Sequence, residues 1–193
     1  MLAIILAVMV AGSVCALAGP SVSSKWGMYL ASHATEEKVN EIYAVGKTAT
    51  IYKSDIEKAA YYYALSGMNN QEASAQAYDF CREKESLFHE AKRRGYSATE
   101  NEIDSYIDDL RKMMKEASNK AEVYDVINQF GSEEEYWEYL KEVYRKDLPI
   151  QKMNMQMETD FFECNKNASD EQWQKYFLEW KRSLVEAEQF ILK

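Results

Sequence analysis

The chain has 193 residues, with 23 Lys and Arg against 32 Asp and Glu and a formal net charge of −9. That charge repels phosphate backbones, and the cluster Lys92-Arg93-Arg94 falls where a helix is expected to end, so nucleic acid is not an expected partner. Seven Gly and two Pro in this length exclude a turn-rich all-β architecture. An all-α, mainly helical fold is predicted, with room for about one compact domain of roughly 150–175 residues.

Met1–Ala18 carries no charged side chain, and Leu2–Val10 is an unbroken apolar block. Residues 1–18 read as a signal peptide cleaved after Ala18. Ala16-Leu17-Ala18 places small residues at the two positions a signal peptidase reads, and Gly19-Pro20 breaks a helix just beyond. An uncleaved membrane anchor is the alternative, because about 18 apolar residues is close to the lower limit for spanning a bilayer. No Lys or Arg precedes the run, although both kinds of segment ordinarily orient by such charges. Either reading takes the protein out of the cytoplasm, to the cell surface, the periplasm or the medium. Cys15 follows Gly12-Ser13-Val14, and the branched Val beside it departs from a lipobox. Without the leader, Cys81 and Cys164 remain, either as a disulfide or as two buried thiols used as small apolar groups.

Residues 19–43 read as a Ser-rich spacer followed by a short helix opened by Thr35-Glu36-Glu37. Ala44–Tyr52 holds two short β-branched runs around Gly46 and predicts a small hairpin or extended arm. From residue 44 onward no composition shift or repeat marks a second domain, so 44–193 is expected to form one unit.

Helix starts are then written as capping boxes, in which a Ser or Thr oxygen accepts a backbone N–H while an acid or amide three residues on reaches back to the cap. Ser54–Glu57 opens a helix that runs to Gly67, and Asn69-Asn70 opens another that ends at Gly95. Thr99–Glu102 opens a third, with Ile103, Tyr106, Ile107, Leu110, Met113, Met114 and Ala117 on one face. A short helix over Lys120–Phe130 follows. Ser132–Glu135 opens a helix that Pro149 is expected to kink or end, with continuation to about Cys164. Ser169–Gln172 opens a terminal helix whose Trp173, Tyr176, Phe177, Trp180, Leu184, Ala187 and Ile191 imply docking onto the rest.

Catalytic and metal-binding signals are weak. Neither His33 nor His89 sits in a motif that activates a nucleophile, and Arg93 stands where a zinc helix beginning at His89-Glu90 would need its second His. Met153-Asn154-Met155-Gln156-Met157 alternates thioethers as soft-metal sites do, yet on a helix Met155 points away from Met153 and Met157, which favours packing. Tyr61-Tyr62-Tyr63 cannot share one helix face, so at least one ring is expected to be exposed. Glu133-Glu134-Glu135 is explained by capping and the helix dipole, and Asn167-Ala168-Ser169 matches a glycosylation acceptor as many chance tripeptides do. No cofactor, metal or catalytic residue is assigned.

The order of these signals resembles the SurA N-terminal domain family. Ala44-Val45-Gly46-Lys47 through Ile51 and Asp55-Ile56 is similar to that family's opening, without the usual Asn before Gly46. Leu87–Ile103 resembles its helix–turn–helix, with Glu90-Ala91, Gly95-Tyr96, Thr99 and Glu102-Ile103 at matching places, and Phe130–Leu140 resembles its Gly-x-Ser-x-Glu-Glu junction. The resemblance implies an orthogonal helical chaperone module completed by a C-terminal helix, in a family that often inserts a parvulin isomerase domain. About ten residues separate Phe161 from the last helix, so that domain is missing and no catalytic residue carries over.

The expected function is therefore an extracytoplasmic, non-enzymatic holdase that binds unfolded or newly exported polypeptides. A structural or assembly subunit with one dedicated partner is the alternative. If the leader is uncleaved, the membrane is a further partner. Met113, Met114, Met153, Met157 and Tyr62 are the candidate contact residues, because thioethers and amphipathic rings adapt to unrelated clients.

Overall fold

The computed structural model describes residues 20–34 and 41–193. The expected cleavage site at Ala18, Cys15 and the helix start at Thr35-Glu36-Glu37 lie outside them. Among the described residues the fold is all-α with a small three-stranded antiparallel sheet. They divide into two compact units, one containing Ala98–Arg145 with the residues before position 39 and 65–67, the other the rest.

The first unit contains α1 (Val22–Ala34), α4 (Glu100–Glu116), α5 (Lys120–Ile127) and the opening half of α6 (Glu133–Cys164). A helix thus occupies the stretch read from sequence as a spacer. Its small residues Ser23 and Gly27 face inward together with Leu30, so α1 lies close against α5. The box at Thr99 caps α4 as expected. At α6, Ser132 Oγ accepts the N–H of Glu135 at 3.1 Å, but the Glu135 carboxylate turns to the Gly131 N–H at 3.2 Å. α4 and α6 run antiparallel, joined by ion pairs of Glu100 with Arg145, of Asp104 with Lys141 (2.9 Å) and of Arg111 with Glu134 (2.9 Å).

The second unit contains β1 (Ile42–Val45), β2 (Thr50–Tyr52), α2 (Lys53–Leu65), α3 (Asn70–Arg93), the remainder of α6, α7 (Asp170–Glu188) and β3 (Ile191–Leu192). β1 and β2 form the expected hairpin, and β3 adds to the far edge of β1 in the order β2-β1-β3. Ile191, assigned from sequence to the terminal helix, lies in that strand instead, because Gln189 takes a left-handed conformation (φ 53°) that ends α7. The box read at Ser54 is also displaced: β2 passes straight into α2 at Lys53, leaving Ser54 inside the helix. Asn69 and Ser169 each form complete capping boxes, and α6 continues through Pro149 to Cys164 as a single helix.

Two apolar clusters hold this unit. Ala44, Ile51, Ile56, Ala59, Ala77 and Cys81 form one, with Phe190 packed against it. The other gathers Leu87, Ala91, Ile150, Met153, Met157 and Trp173, with Phe177, Trp180 and Leu184 of α7 packed against it and Tyr176 exposed. Phe161, Trp173, Phe177 and Trp180 continue as a ladder of rings 5.1–5.5 Å apart.

Candidate functional site

An apolar cavity opens in the first unit where α4, the turn after it, α5 and α6 meet. Leu110, Met114 and Ala117 form the α4 side, Val123 the α5 side, and Tyr136, Trp137, Leu140 and Tyr144 the floor on α6. Its open space is about 40 Å³. At roughly 10–15 Å³ per water position, that is room for three or four heavy atoms, the size of one branched aliphatic side-chain end. Met113 stands at the rim, 43% exposed, whereas its neighbour Met114 is buried.

The periodic stripe of α4 places Ile103, Ile107, Leu110 and Met114 in the core and leaves Met113 at the edge of that face. The floor is rigid. The Trp137 indole donates to Glu133 at 3.0 Å while the Arg111 guanidinium lies over its ring, 5.1 Å from the centroid. Tyr136 packs edge-on against Phe130, and burial pushes its phenol pKa well up, so this ring stays neutral. The Glu133, Glu134 and Glu135 carboxylates are each occupied, by the Trp137 indole, the Arg111 guanidinium and the Gly131 N–H respectively, so only Glu135 serves the helix start, one residue before the expected box.

Of the five candidate contact residues, the cavity brings together Met113 and Met114. Met153 and Met157 are buried in the α6–α7 cluster of the second unit, and packing explains them. Met155 points outward at 68% exposure, so the three thioethers do not converge on a metal. Tyr62 lies on α2 with its ring edge-on to Tyr63; all three tyrosines of the run are half-buried, and none is fully exposed as the sequence suggested. Cys81 and Cys164 are both free, the first buried and the second exposed at the end of α6, so the buried-thiol alternative holds for Cys81 alone. Asn119, which sequence reasoning passed over, also lines the cavity. Its signal was faint: an Asn just before a short helix reads as an ordinary cap.

No family model matches the chain, and neither a curated protein nor a solved structure matches it. Among the described residues no group of three or more His, Cys, Asp or Glu side chains could hold a metal ion, and no helix is long and apolar enough to cross a membrane. His33 accepts or donates within its own helix, to Tyr29 and Ser32. His89 is half-buried beside Phe88. What the cavity offers chemically is desolvation: an apolar group that enters leaves water at a gain of about 25 cal/mol per Å².

Proposed function

We propose that this protein is an extracytoplasmic holdase that binds unfolded or newly exported polypeptides without a catalytic step, taking an apolar side chain of the client into the cavity beneath Met113. The observation that carries the reading is an open apolar cavity with a flexible thioether at its rim. A well-packed domain of this size closes such space, and methionine adapts to side chains of different shape. A contact of that size contributes little by itself, which suits a protein that must release what it binds. The likeness of Leu87–Ile103 and Phe130–Leu140 to helix junctions of the SurA N-terminal family supports the same role, and the leader at residues 1–18 supports a place outside the cytoplasm.

The test is suppression of aggregation of two unrelated unfolded proteins by the chain from Gly19 onward, at near-equimolar ratio, with prolyl isomerase activity assayed alongside. Suppression of both without isomerase activity is the expected result. No suppression at several-fold excess contradicts the proposal and leaves a subunit with one dedicated partner as the better account.

A further inference from the structure

We infer that the edge of β1 covered by β3 is a second polypeptide site, which takes an extended segment of another chain in place of residues 189–193. The inference does not depend on the cavity, which lies in the other unit. β3 itself displays what the edge accepts. It runs antiparallel to β1, with Leu192 opposite Ala44 and Ile191 opposite Val45, and the Lys193 N–H donates to the Tyr43 carbonyl at 3.0 Å. Main-chain pairing of this kind reads extended backbone, and a side-chain slot beside it adds selectivity. Phe190 fills that slot. It packs against the hairpin cluster, and a Cβ on Gly46 would lie 3.0 Å from its ring.

The covering strand is weakly held. Ile191 and Leu192 remain 65% and 59% exposed, so their release gives up little apolar burial. Gln189, which joins α7 to β3, is the one non-glycine residue at positive φ among the described residues, a conformation unfavourable to any residue with a Cβ. Once released, the segment has a second structure open to it. Gln, Leu and Lys are good helix formers, and Ile191 continues the apolar spacing of Leu184 and Ala187, so α7 can run on. The edge stays formed when the segment leaves, because Glu188 belongs to α7 and still holds the N–H groups of Lys47, Thr48 and Ala49 at the hairpin turn. β2 keeps the other side of β1 paired. What is bared is a row of main-chain N–H and C=O groups, which an incoming strand satisfies.

The probe is a fluorescent peptide copying residues 189–193, with two controls: the same peptide N-methylated at the Lys193 position, and one with Ala in place of Phe190. The full chain is expected to bind the probe, and to bind each control about tenfold more weakly. Gln189→Gly relieves the left-handed turn and keeps β3 in place, so its affinity for the probe is expected to fall about fivefold below wild type. A chain lacking residues 189–193 is expected to gain about tenfold, because its edge has no competitor. Equal binding of the N-methylated control, equal affinity of Gln189→Gly and wild type, or no binding by any form overturns the inference. Should the shortened chain not fold, the comparison of wild type with Gln189→Gly decides alone. Loss of probe binding in Met113→Glu places the peptide in the cavity and overturns the inference. A wild type that is dimeric, with a monomeric shortened chain, assigns the edge to a second copy of this chain and overturns it as well.

Discussion

Glu188, the last residue of α7, closes the turn at Thr48: its carboxylate accepts the Thr48 N–H at 2.8 Å, the Ala49 N–H at 3.2 Å and the Thr48 hydroxyl. Its own carbonyl accepts the Lys47 N–H at 2.9 Å. Gly46 is required beside it, because a Cβ there would sit 2.5 Å from a Glu188 carboxylate oxygen. Partial burial alone would raise the Glu188 pKa, but the hydrogen bonds from Thr48 and Ala49, with the field of His89, outweigh it and hold the carboxyl below the usual range. A depressed folded pKa means stability fully present above the ordinary glutamate pKa and lost as pH falls through the folded value. Glu188→Gln is expected to cost about 1–3 kcal/mol at neutral pH and to flatten the acid limb of a stability–pH profile. Denaturant melts from pH 7 down to 3 check both, and an unchanged acid limb would show that the clasp contributes nothing.

Gly27 meets the backbone of α5, where an added Cβ would lie 2.7 Å from the Val126 carbonyl oxygen. On an exposed helix Gly→Ala is worth up to about 1 kcal/mol in favour of Ala. Here overpacking reverses the sign, and Gly27→Ala is expected to destabilise the first unit by about 1–3 kcal/mol. A Tm at or above wild type would mean that α1 sits further from α5 than the geometry states.

The two cysteines of the described chain should react very differently. Burial, with the nearby charges of Asp55 and Glu85, pushes the Cys81 thiol pKa up to about 12, so it is protonated at any ordinary pH, whereas Cys164 is exposed. Maleimide at pH 7.5 followed by peptide mapping should find Cys164 modified in the native protein and Cys81 only after denaturation. Equal labelling before denaturation contradicts the packing of the hairpin cluster.

Space held open for a ligand costs stability, so filling it should separate stability from function. Ala117 lines the cavity at the end of α4, where its extended backbone (φ −70°, ψ 139°) tolerates a larger side chain. Ala117→Leu is expected to raise stability by about 1 kcal/mol and to lose aggregation suppression. A variant that is more stable and fully active would place client binding elsewhere.

Much of the helical framework was legible in the residues themselves. The boxes at Thr99 and Ser169 need nothing beyond three neighbouring side chains, so the sequence carries them intact. The start at Ser54 shifted because the preceding strand supplies the turn's geometry, and β3 was hidden because Ile191 continues the apolar spacing of Leu184 and Ala187 with no glycine to mark the break at Gln189. α1 depends on a distant surface: Gly27 is a poor helix former whose missing Cβ matters only against Val126, and Ser23 is a small residue buried on the same helix. The α4 stripe named both Met113 and Met114, but which of them is core and which is rim depends on where α5 and α6 pack. Met153 and Met157 read from the sequence both as packing residues and as candidate contacts, and the folded α6–α7 cluster decides for packing.

The most direct test of the central claim is to place a photo-crosslinking analogue of methionine at position 113 and, separately, at the exposed Met155, and to irradiate each in the presence of an unfolded client. Capture from position 113, with far less from 155, is what client binding at the cavity predicts. Equal capture from both positions, or capture from 155 alone, would contradict it.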